Sequence, residues 1–319
     1  MLAMTGIVGS VHALSPAQQL VTKMTDSARN LSYKGYFTYE RGQQSNSYLI
    51  IHSQVDNAIR QRLVFLDGPV IEVIDDGKSL KSLYQGGKHS PQHPVYPLSQ
   101  LEINPLESRK SSLDSIWQNY NVTITGHTRV ADRAVTKVQL IPKDLDRYPF
   151  VFFVDDATGL MLKMVVLTQQ GQLMERFHFV HIEVGKVDES DLVPQITGQE
   201  EEIPDPAAAP IPADTSSASG WHLAWLPSGF IEQKPFMHPL VSPLKGQQIY
   251  RYSDGLSAFS VFIEPAKDDI KHDTATQLGS TSVISHLKKI NGVFFLVTVV
   301  GEIPIMTAKQ IALSVEPSS

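Results

Sequence analysis

Chemistry in this chain would have to come first from its histidines and its paired carboxylates. His89 and His93 stand at i and i+4, a spacing that sets two imidazoles side by side on a helix, but Pro91 and Pro94 forbid that helix. No carboxylate accompanies them at ligand spacing, so the expectation is a solvated loop. His178 and His181 lie three apart in a strand-like run, which sends their side chains to opposite faces of a sheet. The pairs Asp75-Asp76 and Asp155-Asp156 fall in predicted turns, where an Asp side chain bonds the backbone N–H groups that follow it.

The familiar nucleophile and phosphate motifs are missing: there is no Gly-x-Ser-x-Gly elbow, no glycine loop to cradle phosphate and no His-Glu-x-x-His. With no cysteine in the chain, thiolate zinc sites, cysteine nucleophiles and disulfides are excluded. No catalytic residue, metal site or cofactor follows from these patterns, which argues for a binding protein and against an enzyme. The formal net charge of −6 comes without any Lys/Arg cluster larger than a pair, so nucleic acid is not an expected partner.

The stretch around which the chain is organised runs from Tyr148 to Val184. It reads as three antiparallel strands, with turns marked by Asp155, Asp156 and Gly159 and then by Gly171. Phe150, Phe152 and Val154 share one face, while Val151 and Phe153 share the other. Leu160, Leu162, Met164 and Val166 likewise oppose Met161, Val165 and Leu167, interrupted only by Lys163. Two apolar faces require either packing on both sides or one face lining an apolar cavity. The residue pattern leaves both open.

Ahead of this meander, Ser15 as N-cap, Pro16 and Gln18 predict a capped helix whose apolar stripe is Leu20, Val21, Met24, Ala28 and Leu31. Five strand-like runs follow between Tyr33 and Tyr84, then a Gly/His/Pro loop over 86–99, a helix over 104–120, and strands over Asn121–Thr128 and Arg133–Ile141. Short hairpins throughout imply a mainly β, α+β architecture: a strongly curved antiparallel sheet or unclosed barrel with its helices against one face. At 319 residues two domains are expected.

Residues 198–220 differ in kind. They hold Glu200 to Glu202, Asp205, Asp214 and four prolines, with no basic side chain and only Ile203 and Ile211 as large apolar ones, as an acidic linker would. From Trp221 a second unit begins, with strand pairs Gln248–Tyr252/Ala258–Glu264 and Thr281–Ile290/Val293–Val300. The second pair turns at Asn291-Gly292, and a terminal helix after Pro304 covers four strands. Trp221 and Trp225, four apart, are candidates for one core anchor and one partner contact. Met1 to Ala13 resemble the apolar part and small-residue cleavage site of a secretory leader lacking its basic start. No later apolar run reaches membrane-spanning length; Val293–Val300 suits a buried strand.

Several segments resemble the RseB/MucB family of periplasmic regulators of the envelope-stress sigma factor. They are Trp225-Leu226-Pro227-Ser228-Gly229-Phe230, Tyr252-Ser253-Asp254-Gly255-Leu256 with Phe259-Ser260-Val261, Val300-Gly301-Glu302-Ile303-Pro304, and Gly126-His127-Thr128-Arg129-Val130-Ala131-Asp132-Arg133. The resemblance spans both units in order. It implies residues 14–197 as a domain similar to the outer-membrane lipoprotein carriers, an unclosed β-barrel that senses lipid. Phe150, Phe152, Val154, Leu160, Leu162, Met164 and Val166 are the expected cavity lining. It implies 221–319 as a smaller domain that binds an anti-sigma factor, with Trp221, Trp225, Phe230, Tyr252, Asp254 and Phe259 as candidate contacts. The implied function is negative regulation of the envelope stress response in the periplasm. The partners would be the periplasmic part of a membrane-anchored anti-sigma factor, lipid A or lipoprotein acyl chains, and a second copy in a homodimer. The alternative is a lipid or lipoprotein carrier without a regulatory partner.

Overall fold

The computed structural model describes residues 13–55, 58–85, 113–203, 220–233, 247–266 and 273–318. The expected leader, the 86–99 loop with His89 and His93, the 104–112 start of the second helix and most of the linker lie outside them. The first helix, α1 (Pro16–Asn30), begins as expected: Gln18 N–H donates to Ser15 Oγ while Ser15 N–H donates to Gln18 Oε1 at 2.8 Å.

Strands β1 (Tyr33–Arg41), β2 (Gln44–Val55), β3 (Ala58–Phe65), β4 (Ile71–Asp75) and β5 (Leu80–Tyr84) form one meander. After α2 (Leu113–Asn119), a second consists of β6 (Tyr120–Val130), β7 (Arg133–Pro142), β8 (Phe150–Asp155), β9 (Met161–Leu167) and β10 (Leu173–Val184). The last strand of the second meander pairs with the first strand of the other, Phe179 opposite Phe37, and fuses them. A further strand, β11 (Gln199–Ile203), pairs with β5, giving an eleven-stranded antiparallel sheet in the order β11-β5-β4-β3-β2-β1-β10-β9-β8-β7-β6. Its two end strands do not pair with each other, so the sheet is unclosed. The β6–β7 turn is made by Ala131 and Asp132, both at positive φ (49° and 63°), as a tight hairpin of matching twist demands.

Strand β11 departs from the linker expected over 198–220. An acidic run has little to bury, but at a sheet edge it needs only backbone pairing, and Lys81 reaches Glu200 at 2.7 Å.

One face of this sheet is the core. Phe37, Phe152, Phe177 and Phe179 interlock there, with Phe177 4.9 Å from Phe37 and 5.1 Å from Phe179 between ring centres, and Val21 and Met24 of α1 pack into the same cluster. The two faces of the meander are therefore unequal. The expected lining residues all face the core, while Val151, Phe153, Lys163 and Val165 lie half-buried on the outside.

The second unit contains β12 (Trp221–Leu223), β13 (Ile231–Gln233), β14 (Gln248–Ser253), β15 (Ala258–Pro265), β16 (Thr274–Leu278), β17 (Thr281–Ile290), β18 (Val293–Gly301), α3 (Ile305–Ser314) and β19 (Val315–Pro317). Its sheet has six strands, ordered β13-β14-β15-β18-β17-β16, where four were expected; β12 and β19 pair separately. The added edge strands β13 and β16 are short or fully exposed, so they carry little apolar patterning to announce them. Ala308, Ile311 and Ala312 of α3 pack on this sheet's core, and no described helix is long and apolar enough to cross a membrane.

Candidate functional site

The described residues show their densest buried polar chemistry where the two units meet. Arg147, just before β8, is fully buried in the gap between Tyr120 of β6 and the second unit. Its Nη1 donates to Asp254 Oδ2 at 2.7 Å, its Nη2 donates to the Ser228 carbonyl, and its Nε donates to Asp144 Oδ1 at 3.1 Å. The guanidinium also lies over the rings of Phe230 (4.9 Å) and Tyr120 (5.7 Å).

Asp254 is preset to receive it. The Asp254-Gly255-Leu256-Ser257 turn folds so that Oδ1 accepts from Leu256 N–H (2.8 Å) and Ser257 N–H (2.7 Å), leaving Oδ2 for Arg147 and for Tyr120 Oη at 3.2 Å. Burial and the Asp254 carboxylate push the Tyr120 phenol far above its ordinary range. For Arg147, burial opposes the charge, but Asp254, Tyr120 and Asp144 together outweigh it, so the guanidinium stays charged.

A second node lies on β10. Glu175 points to the core side and is 3% exposed. It accepts from Tyr39 Oη, from Arg41 Nε at 3.1 Å, and from Ser280 N–H and Oγ–H at 2.9 and 2.8 Å. Ser280 belongs to the β16–β17 turn, so this one carboxylate holds both units. Burial and Glu175 raise the Tyr39 phenol. Around the nodes, Gln277 Nε2 donates to Tyr148 Oη (2.8 Å), Tyr148 Oη to the Ile303 carbonyl (3.3 Å), and Thr307 Oγ1 to Asp146 Oδ1 (3.1 Å). Leu256 inserts into the first unit's apolar core.

The expected residues fall in three places. Phe150, Phe152, Val154, Leu160, Leu162, Met164 and Val166 come together in the first core, none more than 6% exposed. Phe230, Tyr252 and Phe259 form an aromatic group in the second core, and Asp254 is the junction acid. These four are buried and, in this arrangement, present no surface to another protein. Burial and Glu232 push the Tyr252 phenol up to about 12. Trp221 and Trp225 are both half-buried against the second core, Trp221 edge-on to Phe295 at 4.8 Å, so neither stands out as the free anchor.

Both carboxylate pairs sit in turns: Asp76 Oδ1 accepts from Lys78 and Ser79 N–H at 2.8 Å, and Asp155 Oδ2 accepts from Thr158 N–H at 2.9 Å. Asp155 also pairs with Arg133 at 2.8 Å across the β7–β8 hairpin. His178 and His181 are a correction. A bulge opposite Tyr36 and Phe37 inserts Val180, so the alternation slips and both histidines face outward.

Arg147, Glu175, Tyr120 and Ser280 were not singled out from the sequence. A signal existed for Glu175, which shares its strand parity with Phe177 and Phe179 and so places a charge on the core face. None existed for Arg147, whose partners in the second unit are 81 and 107 positions away.

Comparison with known proteins fits this two-unit arrangement. Residues 16–201 match the MucB/RseB N-terminal domain and residues 215–316 the MucB/RseB C-terminal domain. The chain is 33% identical to the sigma factor AlgU regulatory protein MucB of Pseudomonas aeruginosa, over 98% of this chain and 96% of that one. It is 25% identical to the sigma-E factor regulatory protein RseB of Escherichia coli K12, again over 98% and 96%. Among solved structures it resembles the Pseudomonas aeruginosa MucA/MucB complex (TM-score 0.76, 31% identity, covering 96% of this chain and 100% of that one). It also resembles MucB alone (TM-score 0.65, 30% identity, 95% and 98%). With both of its units matched in order, the chain belongs to the MucB/RseB family.

Proposed function

We propose that this protein is a periplasmic, non-enzymatic negative regulator of the envelope stress response. It binds the periplasmic part of a membrane-anchored anti-sigma factor, shields it from proteolysis and lets go when lipid is captured. The observation that carries the reading is the junction: two units with separate cores are held at one angle by buried charges of each. That is what a protein needs if occupancy of one unit is to alter binding by the other. The arrangement supports it further, since the TM-score is 0.76 and 0.75 against two MucB structures in complex with MucA and 0.65 against MucB alone.

Lipid capture would use the core face of β8 and β9, whose Phe152, Leu162 and Met164 share one apolar cluster with Val21 and Met24 of α1. An acyl chain of lipid A or of a lipoprotein would enter this cluster by displacing α1 or parting it from the sheet. Homodimer formation belongs to this proposal as an expectation inherited from the resemblance.

The deciding experiment titrates the purified chain with the periplasmic segment of its cognate anti-sigma factor, with and without lipid A, and follows cleavage of that segment by its protease. Binding that weakens with lipid A, and slowed cleavage without it, are expected. Equal affinity in both conditions removes the switch, and absence of binding removes the regulator.

A further inference from the structure

The outer face of the second meander carries charges that the junction does not use. In register across four strands, Lys137 lies opposite Phe153, Phe153 opposite Lys163, and Lys163 opposite His178. Arg176 stands on the same face one step along β10. Lys163 Nζ lies 4.9 Å from the centre of the Phe153 ring. No carboxylate pairs with Lys137 or Lys163 among the described residues. The acid that faces this group is Glu40, and Arg176 Nη2 takes both of its oxygens, at 2.6 and 2.7 Å, while Arg176 Nε stays buried without a partner.

Like charges set directly across a sheet destabilise it. Burial and Arg176 lower the Lys163 ammonium, and burial, Lys163 and Arg176 lower His178, so the repulsion is felt by both. Around the cations, Tyr36 is 41% and Val180 55% exposed on the same outward face. The bulge that turns Val180 outward therefore adds an apolar side chain beside the charges.

We propose that this outer face docks the protein on an anionic phospholipid bilayer, with Lys137 and Lys163 meeting headgroup phosphates and Tyr36 and Val180 entering the interfacial layer. An acidic peptide fits less well. Strands β7 to β10 each have a neighbour on both sides, so no edge is open for strand addition. Docking here leaves the core face and the junction turned away from the lipid.

The test is flotation of the full chain with phosphatidylcholine vesicles, with and without phosphatidylglycerol, at low and raised salt. Binding should need the anionic lipid and fall with salt. Lys163→Gln should weaken it about fivefold, the share of one basic side chain near such a surface. Lys137→Gln with Lys163→Gln should weaken it further at a melting temperature that does not fall. Equal flotation on neutral vesicles, binding indifferent to salt, or an unaltered Lys163→Gln variant would overturn the proposal. So would inorganic phosphate shifting the His178 resonances without vesicle binding, which would assign the site to a soluble phosphate, or capture of polyglutamate in place of vesicles.

Discussion

The core face of the first sheet and the junction between the units are both dry, yet they are built on opposite principles. Phe37, Phe152, Phe177 and Phe179 stabilise through area removed from water, an attraction without direction that survives small shifts of its members. Arg147, Asp254 and Glu175 are charges in the same kind of seclusion, and each is tolerable only with its partners in place. The first region holds a unit together. The second specifies the angle at which two units meet, because a small rotation would strand a buried charge.

The contrast is broken most severely by removing one member of the central pair. Arg147→Ala leaves Asp254 buried without its counter-ion and is expected to cost about 3–5 kcal/mol. Phe152→Ala should cost a similar amount, about 3–5 kcal/mol, by opening a cavity. The two should differ in shape: small-angle scattering is expected to show a larger radius of gyration for Arg147→Ala and an unchanged one for Phe152→Ala. A compact Arg147→Ala particle would mean that the apolar contact at Leu256, not the ion pair, sets the angle.

Glu175→Gln is a gentler probe of the second node. The amide keeps the volume but weakens charge-assisted bonds to Arg41 and Ser280, for an expected loss of about 1.5–3 kcal/mol in urea unfolding. Gly229→Ala tests closeness of approach without touching a charge. Gly229 has φ +80°, and a Cβ there would lie 2.1 Å from Asn119 Nδ2 of α2. About 1–2 kcal/mol and a slightly opened junction are expected from the backbone conformation and the clash together. No change in either measurement would show that the units already stand apart at this turn in solution.

The same contrast explains what could be read in the chain. Apolar alternation along Phe150–Val154 and Leu162–Leu167, and the Ser15-Pro16 and Asn291-Gly292 signals, are local, so helix starts, hairpins and most of the inward face follow from neighbours in sequence; Met161, expected opposite Leu162, is buried with it where the β8–β9 register shifts. Asp254 is legible as part of a motif, but the residue it meets here, Arg147 of its own chain, is not. Pairings between residues more than a hundred positions apart leave no periodic trace. The slip at Val180, which moved His181 to the outer face, depends on how β1 pairs with β10 and not on either strand alone.

The smallest expected effect concerns a polar group set inside the apolar region, where the two principles meet. His52 of β2 is fully buried, stacked on Tyr33 at 4.8 Å; its Nδ1–H donates to the Leu31 carbonyl at 2.9 Å while Nε2 is buried without a partner. Burial lowers its pKa from 6.5, against the backbone bond that raises it. A lowered folded value means that the unfolded chain binds the extra proton more readily, so the stability His52 confers is complete above pH 6.5 and is lost as pH falls toward the folded value. His178 is lowered as well, but its half-exposed position screens the effect. Asp155 acts in another window, since Arg133 and Thr158 outweigh burial and hold it below 3.8. Urea midpoints at neutral pH and near pH 5 should therefore separate less in His52→Phe, which keeps the stacked ring and drops the proton, than in the unaltered chain. An equal separation in both would place the acid sensitivity outside the core, and the junction, whose charges need partners at every pH, would be the next region to test.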